Sequence, residues 1–123
     1  MSKRKIKAAT KMIFGAPAAP MPEAKTKAIA RAVAAVHGIT EAHLPQCFIE
    51  DDREARQVLV IGVQQRGDIP RIVEELMGGL KFVFSWGEYI DIFPFESAAV
   101  PGGVREAGCL IFREQKKPWW KKL

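Results

Sequence analysis

Apolar residues recur at two different spacings along this chain, and the spacings predict helices and strands in turn. In residues 23–37 they return every three or four positions, as on one face of an amphipathic helix. Residues 57–64 (QVLVIGVQ) are almost continuously apolar and β-branched, which is typical of a strand covered on both faces. Asp68 is placed to cap a second helix over residues 69–77, and Gly78-Gly79 is expected to end it.

Shorter runs complete the predicted elements. Residues 42–50 indicate a strand in which Pro45 favours an edge or a bulge, and the polar turn 51–54 is expected to join it to the strand 57–64 as a hairpin. Pro101-Gly102-Gly103 leaves room for only one or two helical turns near residues 104–107. Three further runs each predict a strand: residues 12–14 at an edge, 88–95 and 109–112.

The order of these elements predicts an α+β fold, with a mixed or antiparallel sheet of four to five strands packed against two or three helices. A chain of 123 residues is expected to form one domain. We place that domain at residues 12–114, after a basic N-terminal arm (1–11) and before a basic, tryptophan-containing tail (115–123).

Charge is distributed unevenly. The formal net charge is +5, yet residues 12–112 hold nine basic and 13 acidic side chains, while residues 1–11 hold five basic side chains and no acid. In the tail, lysines bracket two indoles: Lys116, Lys117, Trp119, Trp120, Lys121 and Lys122. This composition suits a protein partner or an anionic surface such as single-stranded nucleic acid or lipid, but the indoles could also fold back onto an apolar part of the domain.

Residues 80–95 are rich in aromatic side chains and include Trp86 and Tyr89. Clustered aromatics favour protein contact sites, so this segment is a candidate interface or dimer surface, with burial in the core as the alternative for each ring. Cys47 and Cys109 lie in apolar runs, which favours reduced thiols in the cytoplasm. No apolar run approaches the ~20 residues that a membrane-spanning helix needs.

The residues that could hold a metal or act as a nucleophile do not form a known motif. His37, His43, Cys47 and Cys109 have no CxxC, HxxxH or HExxH spacing, and His43 and Cys47 are four apart in a predicted strand, where residues two apart share a face. The clustered acids of residues 50–54 read as a solvated turn, and the two Gly-Gly pairs match no phosphate loop. We therefore predict no catalytic residue, no metal site and no cofactor.

Several segments, taken in order, resemble the C-terminal domain of the bacterial SseB (enhanced serine sensitivity) family. The segments that carry the likeness span residues 12–114 and are GAPAAPMPEA (15–24), the helix up to His37-Gly38-Ile39, Glu41-Ala42-His43-Leu44, QVLVIGV (57–63), IDIFPFES (90–97) and VREAGCLIFRE (104–114). The resemblance implies a small α/β module without a defined catalytic apparatus, and it carries over no functional residue. The chain departs from the family pattern at Pro101-Gly102-Gly103, where a helix is expected, and in the added KKPWWKKL.

The function predicted from these observations is that of a non-enzymatic bacterial domain in the cytoplasm that binds another protein or a second copy of itself. The alternative is weak binding of nucleic acid, or of another anionic surface, through the two basic ends. That alternative predicts an affinity that falls steeply with salt and is lost when residues 115–123 are deleted.

Overall fold

The computed structural model describes residues 12–49 and 55–115. The predicted basic arm, the predicted turn 51–54 and the tail residues from Lys116 onward lie outside the described residues. The described strands are β1 Met12–Gly15, β2 Ile39–His43, β3 Gln46–Ile49, β4 Arg56–Gln57, β5 Leu59–Val63, β6 Ile92–Glu96 and β7 Leu110–Arg113. The described α-helices are α1 Glu23–Ala34, α2 Ile69–Leu80 and α3 Gly102–Glu106.

The strands are divided between two sheets. Four of them form a mixed sheet in the order β6-β5-β2-β7, in which β5 and β6 are parallel and the other neighbours are antiparallel. The order of the other sheet is β1-β3-β4, and all its pairs are antiparallel. The predicted α+β class, with a mixed sheet packed against helices, is confirmed.

Strand β5 lies at the centre of the four-stranded sheet and is buried along its whole length. Its Leu59, Ile61 and Val63 pack into a core shared with α1 and α2 on one face. On the opposite face Val60 belongs to a second core, which is built with α3, β1 and β3. Because successive side chains of a strand point to opposite faces, a continuous apolar run at this position fills two cores at once, as predicted.

The predicted strand over residues 42–50 is broken at Leu44-Pro45. Strand β2 ends at His43 and β3 begins at Gln46, since proline has no N–H to continue the ladder. The second strand of the predicted hairpin is interrupted opposite Pro45. It is divided into β4 and β5 at Val58, whose amide donates to the Pro45 carbonyl at 3.0 Å. The predicted hairpin therefore forms in two halves, β2 with β5 in one sheet and β3 with β4 in the other.

Two helix predictions were wrong at their ends. Helix α2 does not end at Gly78-Gly79 but runs through both glycines to the buried Leu80. A Cβ atom at Gly79 would lie 3.5 Å from Ala32 Cβ, within van der Waals contact, so α2 packs directly against α1 at this point. Helix α1 ends at Ala34 rather than at position 37, and Gly38, whose φ is +103°, turns the chain into β2.

The remaining boundaries also differ from the sequence pattern. Asp68 is the N-cap residue of α2, but its side chain makes no capping hydrogen bond. The predicted strand over residues 88–95 begins only at Ile92, so residues 81–91 form the connection between α2 and β6. Helix α3 spans Gly102–Glu106, so it begins within Pro101-Gly102-Gly103 rather than after it. None of the described helices is long and apolar enough to span a lipid bilayer.

Candidate functional site

The connection between α2 and β6 exposes an unusual amount of apolar surface. In the described part of the chain, seven large apolar side chains are exposed; three of them lie in this connection and a fourth lies in the preceding helix. Trp86 is fully exposed, Phe82 is 93% exposed, Tyr89 is 71% exposed, and Met77 in the last turns of α2 is 54% exposed. We call these four residues the aromatic surface. Exposed apolar patches mark interaction sites more often than isolated apolar residues do, and three of the four, Met77, Trp86 and Tyr89, border the same groove.

The turn that carries Trp86 is held by its own hydrogen bonds. The Ser85 amide donates to Glu88 Oε1 at 2.9 Å, and the Glu88 amide donates back to the Ser85 carbonyl at 2.9 Å. Gly87 adopts a φ of +87°, which a residue with a side chain rarely reaches. The turn therefore has a defined shape, and it presents the indole of Trp86 to solvent.

An ion pair fixes the same turn to helix α1. Lys25 Nζ lies 3.0 Å from Glu88 Oε2 and 5.4 Å from the ring centre of Phe84, which is partly buried against the core. The Ser85 amide, and after it Lys25, hold the pKa of Glu88 below its ordinary value. The exposed rings are thus attached to the body through Phe84 and Glu88 rather than carried on a free loop.

An open groove of about 410 Å³ lies beside Trp86. Trp86, Tyr89 and Met77 line it together with Leu80, Ile90 and Ile92, and we call it the aromatic groove. Lys81 and Glu88 also line it, so charges of both signs border an apolar depression. A second depression of about 440 Å³ lies between α1 and α2 and includes Phe82.

The predicted interface in residues 80–95 is only partly exposed. Trp86 and Tyr89, the two residues predicted to bind a partner, are brought together at the aromatic groove. Phe93 and Phe95 pack instead against the second core, where the ring of Phe93 meets Phe14 edge to face at 6.4 Å. The tail residues predicted to bind, Lys116, Lys117, Trp119, Trp120, Lys121 and Lys122, lie outside the described residues, so their role stays a prediction.

An ionic cluster lies on the opposite face of the sheet from α1 and α2, with two buried members and one, Arg105, whose side chain is 43% exposed. Arg105 of α3 donates from Nε to Glu41 Oε1 at 3.0 Å and from Nη2 to Glu41 Oε2 at 3.1 Å. His43, which is almost completely buried, places Nε2 at 3.0 Å from the same Oε1. Arg105 also donates to the Ser97 carbonyl at 2.8 Å. We refer to Glu41, His43 and Arg105 as the ionic cluster.

The ionic cluster keeps Glu41 charged inside the protein. Burial by itself raises the pKa of Glu41, but hydrogen bonds from Arg105 and His43 outweigh it, so the pKa lies below the ordinary value. Gly62 of β5 pairs with Glu41 in the ladder and leaves space for it, because a Cβ at Gly62 would lie 2.9 Å from Glu41 Cγ. Nδ1 of His43 finds no hydrogen-bond partner within residues 12–49 and 55–115.

Sequence reasoning missed the ionic cluster. Glu41 and His43 are two apart in a strand, which places them on one face, and this spacing was a usable signal. The predicted strand began at position 42, however, so Glu41 was not included. Arg105 is 64 residues away in sequence from Glu41, and only the docking of α3 brings the two together.

The other candidate ligands are dispersed. Cys47 is buried in the second core, whereas His37 is exposed and its carbonyl accepts a hydrogen bond from Arg71. Cys109 is half-buried, and burial raises the pKa of its thiol, which disfavours the nucleophilic thiolate. The described residues contain no group of three or more His, Cys, Asp or Glu side chains that could hold a metal ion.

The chain matches no family model, no curated protein and no solved structure. The resemblance to the SseB C-terminal domain family therefore stays a prediction that rests on the order of the quoted segments.

Proposed function

We propose that this chain is a small, non-enzymatic domain of the bacterial cytoplasm that binds protein through the aromatic surface. The observation that carries the proposal is the exposure of Trp86, Phe82, Tyr89 and Met77 around one anchored turn. Aromatic residues and methionine are enriched at protein contacts, and a buried tryptophan in an interface commonly contributes about 2 kcal/mol or more to binding.

The placement of the aromatics supports this proposal. The ring of Phe84, in the same turn, is partly buried against the core and contributes to folding. Trp86 and Tyr89 lie outside that core, beside a groove whose lining is mainly apolar. Transferring such side chains from water into a contact is favourable by roughly 25 cal/mol per Å² of apolar surface.

The non-enzymatic part of the proposal rests on the sequence. The chain has three serines, none in a GxSxG or SxxK motif, and contains no asparagine. The resemblance to the SseB C-terminal domain, which we also propose as the family of this chain, implies a module without a catalytic apparatus.

The test is affinity purification of the full chain from bacterial cells, compared with a Trp86→Ser/Tyr89→Ser variant. We expect the wild-type chain to recover a companion in a stoichiometric amount and the variant to lose it, because the two rings supply the contact. Ile13→Ser is the matched control, since Ile13 is also exposed but lies on β1. Repeated recovery of the wild-type chain alone, with neither a companion nor a second copy, would contradict the proposal.

A further inference from the structure

We infer, resting on the proposed function, that the partner of the aromatic surface is a second copy of this chain. In this homodimer, Trp86 of each copy enters the aromatic groove of the other across a two-fold axis. The dimer goes beyond the proposed function because it names the occupant of the groove and the residues that meet in it.

The first observation behind this dimer is that a protruding side chain and a recess lie next to each other on one surface. A two-fold interface uses the same patch on both copies, so the patch must be complementary to itself. Trp86 is fully exposed and also borders the aromatic groove. A groove of about 410 Å³ is within the size range of pockets that hold ring-containing ligands, so it has room for the indole of a second copy.

The second observation is the charge at the groove. Lys81 and Glu88 both line it, and no carboxylate in the described part of the chain forms an ion pair with Lys81. Glu88 is bonded to Lys25, but its side chain remains 45% exposed. When two copies meet across a two-fold axis, Lys81 of one can face Glu88 of the other, and the contact is made twice. A rim with both signs of charge therefore suits a copy of itself better than a strongly acidic or strongly basic partner.

The third observation is the available area. Trp86, Tyr89 and Met77 together expose roughly 500 Å² of side-chain surface, taking 150–250 Å² for each fully exposed aromatic ring. A standard interface buries about 800 Å² on each partner, so these three residues provide more than half of it. An interface built mainly from these residues lies at the small end of the range, where weak and transient associations are found, so we expect a dimer that dissociates on dilution.

Sedimentation velocity of the purified full chain over about 1 to 200 µM tests the dimer directly. We expect the mass to rise with concentration from that of the single chain, 13.7 kDa, toward twice that value. Trp86→Ser should remain a monomer throughout the series, and Ile13→Ser should behave like the wild type. A wild-type chain that stays monomeric, or a dimer that persists in Trp86→Ser, would overturn the homodimer.

A charge reversal tests how the two copies are placed. Lys81→Glu brings a second carboxylate toward Glu88 of the other copy, so we expect the dimer to weaken about tenfold at low salt. Lys27→Glu is the control, because Lys27 is exposed on α1 and does not line the groove. An unchanged dissociation constant in Lys81→Glu would overturn the reciprocal arrangement.

The purification experiment separates failure of the dimer from failure of the proposed function. If the wild-type chain is monomeric and still recovers a different protein in a Trp86-dependent manner, the homodimer is overturned and the proposed function stands. If the chain is monomeric and recovers nothing, both are overturned.

Discussion

The ionic cluster and the aromatic surface reverse the usual distribution of polar and apolar groups. Glu41 and His43 are charged or polar but buried, whereas Trp86 and Phe82 are apolar but almost fully exposed. The difference lies in their partners within the chain. Four hydrogen bonds tie the ionic cluster to itself and to Ser97, while the rings of the aromatic surface lie over grooves that no described residue fills. Apart from His43 Nδ1, the polar groups of the first region are thus bonded within one chain, whereas the second region is available for a contact.

The largest expected effect is the loss of Glu41. Glu41→Ala removes the carboxylate that Arg105 and His43 share, and it leaves the buried His43 without the group it contacts. Arg105 can turn to water because its side chain is 43% exposed, but the buried His43 ring loses its partner, so we expect the free energy of unfolding in urea to fall by about 3 kcal/mol, the upper end for hydrogen bonds to charged groups. Glu114→Ala, which removes an exposed carboxylate bonded to Gln64, is the control and should cost less than about 0.5 kcal/mol. Equal effects for the two variants would show that the ionic cluster is not structural.

A smaller loss is expected when the space beside Glu41 is filled. A Cβ in Gly62→Ala would lie 2.9 Å from Glu41 Cγ and 3.0 Å from Thr40 Oγ1, and such overpacking costs about 1–3 kcal/mol in unfolding experiments. Gly67→Ala is the matched control, because no atom lies within 4 Å of a Cβ at that position. In a double-mutant cycle, Glu41→Ala should relieve part of the cost of Gly62→Ala. Strict additivity of the two losses would contradict this packing.

The charge of Glu41 also predicts how stability depends on pH. The pKa of Glu41 is lower in the folded chain than in the unfolded chain. The charged carboxylate therefore contributes its full share to the free energy of unfolding above the ordinary carboxyl pKa of about 4.3, and this share is lost as the pH falls through the lowered pKa of the folded chain. Urea unfolding measured between pH 7 and pH 2.5, about the range where carboxylates titrate, should show this loss. Glu41→Gln should flatten it relative to the wild type, and an identical acid dependence in the two proteins would contradict the prediction.

The smallest expected effect on folding comes from the aromatic surface. Trp86→Ser should change the free energy of unfolding by less than about 0.5 kcal/mol, because the fully exposed indole makes no core contact. The measurement is made well below the dimer dissociation constant, since association alone raises apparent stability. If the same variant also fails to dimerise, Trp86 contributes to the contact between two chains and not to the folding of one. A loss of several kcal/mol would place the indole in the fold instead.

The sequence pattern was reliable where burial is decided locally. A short, continuous and β-branched run favours an interior strand, and β5 is one; the three-to-four spacing after Pro22 likewise identified α1. The pattern failed where neighbouring elements decide the outcome. Gly78-Gly79 would end an isolated helix, but the burial of Leu80 in the core shared with α1 favours a helix that continues through both glycines. In the same way, Pro45 marks the passage of the chain between two sheets, which the apolar run around it does not reveal.

The candidate site shows the same limit. Trp86 and Tyr89 were identified by composition, but composition could not separate them from Phe84, Phe93 and Phe95, which are partly buried. Which rings are exposed depends on where α2 ends and β6 begins, and the boundaries of both were mispredicted. The ionic cluster needed knowledge of a contact between distant residues, so only its strand half, Glu41 and His43, was accessible from the sequence.

The paired breaks at Leu44-Pro45 and Val58 have a consequence for the order in which the molecule assembles. Each sheet contains one half of the same hairpin, β2 with β5 in one and β3 with β4 in the other. The two halves meet where the Val58 amide donates to the Pro45 carbonyl. Only Leu44-Pro45 joins β2 to β3, and only Val58 joins β4 to β5. Bringing the two sheets together therefore closes no long loop between these strands. Since folding slows as contacts become more distant in sequence, β2–β5 pairing can organise the molecule early, whereas β6 and β7 must wait for segments that arrive from farther along the chain.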